Sequence, residues 1–269
     1  MKLPVRLCYA SIFPFALLCT YCGHPADSED ADGASLGAQQ QAISPGYTLS
    51  SSDYSGIVSL LRWDVTHAVW FTFCTGVLLT NTKVVTARHC FAMSPGIPDS
   101  ERIIVKMGSQ QQDVLVRVPH PNCDVEVLKM FPMVIWNWHY DHFLTSPGQL
   151  KNFGYARPIY GGTNASLNGT GLLCFGYGGA TVSNPQPALT YAGFYATYPT
   201  NIFGPPACGA MYLVLNGVNP SGATTVNGDS GGPCLTNLSS FASPVASILS
   251  NDFNGQFGAE NWRDWVNAQ

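Results

Sequence analysis

Gly228-Asp229-Ser230-Gly231-Gly232-Pro233 is a tight turn with a serine at its apex. Glycines on both sides permit a backbone path that side chains resist. Such a turn exposes the hydroxyl and points backbone N–H groups at an incoming carbonyl oxygen. Far upstream, Val85-Thr86-Ala87-Arg88-His89-Cys90 sets a histidine and a cysteine at the end of an apolar run. A serine hydroxyl is a weak nucleophile near neutral pH and needs an adjacent base. Imidazole titrates in the range where such a base is useful. Ser230 and His89 are therefore the candidate nucleophile and base. Taken without the serine turn, His89 reads as a buried, hydrogen-bonded histidine.

The chain has 269 residues, 46% of them hydrophobic and 10% charged, with 27 Gly and 19 Pro. That composition suits a compact all-β protein with many turns and argues against disorder. The net charge of −4 offers no electrostatic handle for nucleic acid. Lys2 and Arg6 precede an apolar run, Leu7 to Leu18, which together read as an export signal over residues 1–22. Pro14 interrupts that run, which is too short to favour a membrane span. Cys22 before Gly23 is a candidate lipoprotein acceptor, although Tyr21 fits that chemistry poorly. Residues 23–42 are small, acidic and Gln-rich and read as a flexible propeptide.

Three of the nine cysteines lie in the leader. The remaining six, Cys74, Cys90, Cys123, Cys174, Cys208 and Cys234, read as three disulfides in an exported chain. None forms a Cys-x-x-Cys pair, so no metal site is expected. Short β-branched runs separated by turn residues predict strands. They are 56–61, 69–79, 83–86, 102–107, 114–118 and 124–130, then 172–175, 188–197, 210–215 and 244–250. Trp262, Trp265 and Val266 are spaced for a short amphipathic helix within 258–269. Between the two sets, Trp136, Trp138, His139, Tyr140, His142 and Phe143 crowd together. They read as a surface loop packing back on the strands, or as a substrate-facing rim or a metal site, although His139-Tyr140-Asp141-His142 lacks a third convincing metal ligand.

With the histidine early and the serine late, these motifs resemble the chymotrypsin/trypsin-like serine proteases from Ile43 to the C-terminus. The resemblance implies an all-β fold of two six-stranded antiparallel β-barrels with a short C-terminal helix. The first barrel would cover about 43–145 and the second about 146–258. It implies a Ser-His-Asp triad working without a cofactor, on protein or peptide substrates, in a secreted bacterial monomer. Asp124 is the candidate third member, because Asp124-Val125-Glu126-Val127-Leu128 resembles the family's aspartate followed by alternating apolar residues. Asp113 and Asp141 compete with it. Arg88 departs from the family's alanine and must find room or a partner.

By the same resemblance, the N–H groups of Gly228 and Ser230 form the oxyanion hole. Asp229 would receive the amine freed by cleavage before Ile43. Ser44-Pro45 after Ile43 and Ala42 before it depart from the family's activation site. Thr224 stands where trypsin-type enzymes carry the aspartate of the pocket floor, with Thr225 beside it and Ser250 on the wall. A neutral floor does not pair with Arg or Lys; Asp252, pointing inward, would restore that preference. The family pairs Cys74 with Cys90 and Cys174 with Cys234, which leaves Cys123 with Cys208. The rivals are a non-catalytic homologue acting as a binding module and an esterase, whose usual Ser…Asp…His order differs from this one.

Overall fold

The computed structural model describes residues 43, 46–49, 56–92, 97–98, 101–131, 156–197, 212–216, 224–236, 243–250 and 255–269. They belong to one compact unit, Gln39–Gln269. The aromatic loop around residues 136–143, Asp141, Cys208 and Asp252 lie outside the described residues.

Six strands close the first barrel: β2 (Ile57–Asp64), β3 (Val69–Thr80), β4 (Lys83–Thr86), β5 (Ile103–Met107), β6 (Gln110–Pro119) and β7 (Glu126–Met130). Their order around it is β2-β3-β4-β7-β6-β5, and every pairing is antiparallel. The second sheet uses β1 (Tyr47–Leu49), β8 (Gly171–Gly176), β9 (Leu189–Thr197), β10 (Tyr212–Asn216), β11 (Pro233–Leu235), β12 (Val245–Leu249) and β13 (Gly255–Gly258). Its order is β1-β9-β10-β13-β12-β11-β8. An additional β8–β9 pairing closes six of these strands on themselves. The architecture is thus the expected double barrel.

One assignment changes. Tyr47–Leu49 pairs with Leu189–Tyr191 of β9, in the second sheet rather than in the first barrel with which the chain order groups it. The segment that follows Ile43 therefore crosses to the domain that carries Ser230.

Alternation explains why so many strands read as unbroken apolar runs. Successive side chains of a strand point to opposite faces, and here both faces are buried. Val58, Leu78, Val84 and Leu128 fill the first barrel. Their chain neighbours Ile57, Val77, Val85 and Val127 enter a second core. That core also takes Leu173 and Phe175 of β8, while Leu172 and Cys174 of the same strand face the interior of the second barrel. The two barrels thus share a wall.

The tail closes that wall. A 3-10 turn, Ala259–Asn261, leads into the helix Arg263–Ala268. Trp262 is fully buried at its start, and Val266 one turn on is buried too. Both sit in the shared core. Trp262→Ala is expected to cost about 3–5 kcal/mol. In a domain of this size that is a fall of roughly 10 °C in Tm, to be read by calorimetry.

Candidate active site

β4 ends at Thr86, and the helical turn His89–Ala92 follows at once. Thr86 Oγ1 donates to Thr75 O at 2.7 Å, and the Cys74–Cys90 disulfide ties the turn to β3. A bridge closing 16 residues stabilises by about 3 kcal/mol in the chain-entropy account. His89 is thereby set on a rigid rim.

Asp124 comes from the short turn between β6 and β7. Its carboxylate holds His89 twice: Oδ1 accepts the backbone N–H and Oδ2 meets Nδ1, each at 2.6 Å. Ser250 Oγ donates to the same Oδ2 at 2.6 Å. Burial alone would push the Asp124 carboxyl up. The hydrogen bond and charge of His89, with help from Ser250, outweigh it and hold the group below the usual carboxylate range. An ionised carboxylate only accepts. Nδ1 therefore carries the proton, and Nε2 of the neutral ring keeps its lone pair for a substrate-side proton.

The turn bearing Asp124 is held by a residue the sequence reading passed over. His120 Nδ1 accepts the N–H groups of Asn122 (3.1 Å) and Cys123 (2.8 Å). Its ring packs edge-on against Trp265, with centroids 4.6 Å apart. Burial, and secondarily the Arg88 charge, keep His120 below the ordinary imidazole range, in the neutral form that can accept. Arg88 finds its partner here, donating to His120 O at 3.1 Å. Asp113 stands elsewhere, exposed on β6 and paired with Arg102.

Ser230 reaches the same rim through its backbone. Ser230 O accepts from Thr75 N at 2.9 Å and lies 3.8 Å from Cys90 Sγ. Gly231 has φ +82°, and a Cβ there would land on Thr86 Oγ1 and Thr75 O. Only glycine lets the serine turn approach the histidine rim this closely. Among the described residues Ser230 Oγ makes no hydrogen bond; such contacts tighten when substrate binds.

The backbone of this turn has a specific pattern. The N–H groups of Asp229, Gly231 and Gly232 bond to Val226 O, Leu249 O and Asp229 O. Those of Gly228 and Ser230 have no partner among the described residues. A peptide is planar, so fixing its carbonyl fixes its N–H. Asn227 O accepts Gly179 N at 2.9 Å, and Asp229 O accepts Gly232 N at 2.8 Å. The two free donors are thus locked in direction. Gly228 itself takes φ +96° against Gly178.

Between the two donors the Asp229 side chain turns inward and is fully buried. It accepts N–H bonds from Val226 (2.8 Å), Ile43 (2.9 Å) and Gly178 (3.0 Å). Burial nonetheless raises its carboxyl to about 6, above the ordinary 3.8. Ile43 is fully buried, with φ +37°.

Cys174 and Cys234 are bonded across β8 and β11. Cys123 is also disulfide-bonded, while its expected partner Cys208 lies outside the described residues. Thr224 is exposed and Thr225 half-buried, six and five residues before Ser230 in the chain. No helix among the described residues is long and apolar enough to cross a membrane.

A shared-wall double barrel, disulfides beside the histidine and serine elements, and an Asp-oriented imidazole define a class of hydrolase scaffold. The family model described as Trypsin matches residues 50–256, and the chain belongs to that family. It is also similar to a protein named trypsin from Xenopus laevis, 28% identical over 236 residues, covering 83% of each chain. That relative gives no support to a bacterial source.

Proposed function

We propose that the chain is a secreted serine endopeptidase, made as a zymogen, that cleaves peptide bonds through an acyl-enzyme. The observation that carries this reading is the pair of oriented N–H groups at Gly228 and Ser230, without a partner among the described residues, beside a His89–Asp124 pair. His89 Nε2 takes the Ser230 proton as Oγ bonds to the scissile carbonyl carbon. The carbonyl electrons move onto oxygen, which the two N–H groups stabilise by about 3 kcal/mol each. Collapse of this adduct breaks the C–N bond, and His89 gives its proton to the departing amine. Water then repeats the sequence and frees the acid. The imidazolium formed meanwhile is stabilised by Asp124.

Thr224 gives the pocket floor no charge, so a preference for neutral side chains at the cleavage site is part of the proposal. Ser250 supports Asp124, and a second role for it on the pocket wall is part of the proposal. Cleavage before Ile43 would turn its N–H into an ammonium facing Asp229 and so complete the site.

A non-catalytic binding module would have no reason to keep two aimed donors and an oriented imidazole. A fluorophosphonate probe separates the two readings. It is expected to label the mature protein at Ser230, by peptide mapping, and to leave Ser230→Ala unlabelled. Absence of label in the mature wild type would sink the peptidase reading.

A further inference from the structure

We propose that Thr75 is a positioning residue that sets the oxyanion turn of the second barrel from within the first. This rests on the peptidase reading above.

Thr75 lies on β3 and is fully buried. Across β2 it is registered with Ser59. On its other side, β4 pairs with β3 only from Val77 onward. The Thr75 backbone therefore has polar groups to spare, and they are spent on the site. Its N–H donates to Ser230 O at 2.9 Å. Its carbonyl accepts from Thr86 Oγ1, two residues after Val84 and three before His89.

The side chain adds what no apolar strand residue supplies. Thr75 Oγ1 donates to Gly228 O at 2.8 Å and accepts the Tyr177 N–H at 2.9 Å. A hydroxyl has one proton to give, and here it goes to the turn. Four consecutive carbonyls, Asn227 to Ser230, are each anchored. Thr75 holds the second and fourth of them, the peptides that flank the Asp229–Ser230 unit. The Gly228 and Ser230 N–H groups sit on the alternate peptides, each joined through a shared Cα to a peptide that Thr75 holds, so neither donor can turn without straining a Thr75 bond. The Tyr177 bond ties the same hydroxyl to the segment whose Gly178 N–H meets Asp229. One residue thus links the histidine rim, the oxyanion turn and the Asp229 pocket.

The role concerns the transition state, because the oxygen these donors meet gains its charge only there. Thr75→Val keeps the shape and removes the hydroxyl. It is expected to lower kcat by about 10- to 100-fold with KM changed less than about threefold, the size of a small misplacement of aimed donors. Binding of a peptide boronate, which presents a tetrahedral oxyanion, should weaken by the same factor. Thr75→Ser, which retains the hydroxyl, should stay within about threefold of wild type in both. If Thr75→Val does not fold, Thr75→Ala removes the same hydroxyl without placing a methyl against Gly228 O, and the same losses are expected. Wild-type kcat in the hydroxyl-free variant, unchanged boronate affinity, or failure of serine to restore both would overturn the proposal. Fluorophosphonate labelling of the wild type keeps the outcomes apart: a labelled wild type with an indifferent Thr75→Val removes only the role of Thr75.

Discussion

Ser230→Ala and His89→Ala are each expected to lower kcat by about a millionfold, with folding intact. The size follows from interdependence. The hydroxyl reacts only when the ring takes its proton, and the ring has no other proton to exchange, so removing either removes both. Asp124→Asn should cost about ten-thousandfold. An amide facing Nδ1 can donate where the carboxylate only accepts, and the ring then holds its proton on Nε2, facing the serine. The double hold on His89 makes this a sharp test, since the backbone bond to Oδ1 keeps the geometry while the tautomer changes. Asp113→Asn should leave turnover within a few-fold, because Asp113 is engaged with Arg102 on the far strand. Steady-state kinetics on a peptide substrate reads all four. Near-normal turnover in Asp124→Asn would remove Asp124 from the triad.

A second large effect is expected in stability against pH, and it depends on cleavage state. In the uncut chain Asp229 titrates near 6 when folded and near its ordinary 3.8 when unfolded. Between these values the folded state holds the extra proton, so stability falls as pH rises through that window. The loss amounts to about 3 kcal/mol, roughly 6–12 °C in Tm. After cleavage an ammonium at Ile43 faces the carboxylate and favours its charged form, and the loss should vanish. Asp124 acts in the opposite sense and at lower pH: its folded value is depressed, so its contribution is lost only as pH falls below the ordinary carboxylate range. Subtracting the curve of Asp229→Asn isolates Asp229. The measurement is Tm from pH 4 to 7 for cut and uncut chains, both carrying Ser230→Ala to prevent self-digestion. A flat difference curve in the uncut chain would sink the raised carboxyl. An identical slope in the cut chain would mean that the new terminus never reaches Asp229.

Much of this molecule is legible in its sequence where the signal is local. Lys83–Thr86 has the same bounds as a reading of the residues and as a strand, and the long runs around 57–64 and 69–80 differ only at their ends. Three strands left no such signal. Tyr47–Leu49 is three residues long and exists by pairing with β9. Pro233–Leu235 opens on a residue that cannot donate to a ladder, and Gly255–Gly258 is bracketed by glycines. In the last two, tertiary pairing overrides a composition that reads as turn, whereas the first is too short to signal a strand on its own. The site divides the same way. Ser230, Gly228, Asp229 and His89 sit in contiguous motifs whose glycines and neighbours mark them. Thr75 resembles any β-branched strand residue, because its hydroxyl's partners lie 153 and 102 residues away. His120 was in plain view beside Pro121, but its task depends on a ring nitrogen facing two amides.

Ile43 carries φ +37° in the uncut chain, a torsion that a β-branched residue seldom accepts. That angle is defined by four atoms, and the first is the carbonyl carbon of Ala42. Scission between Ala42 and Ile43 takes this atom away, and the torsion ceases to exist. Backbone energy on the order of 1–2 kcal/mol is stored only while the chain is whole and is discharged by the cut. Resealing the bond would have to wind the spring again. The proposed activation step would therefore carry a bias of about 5- to 30-fold against resealing, independent of any charge at Asp229.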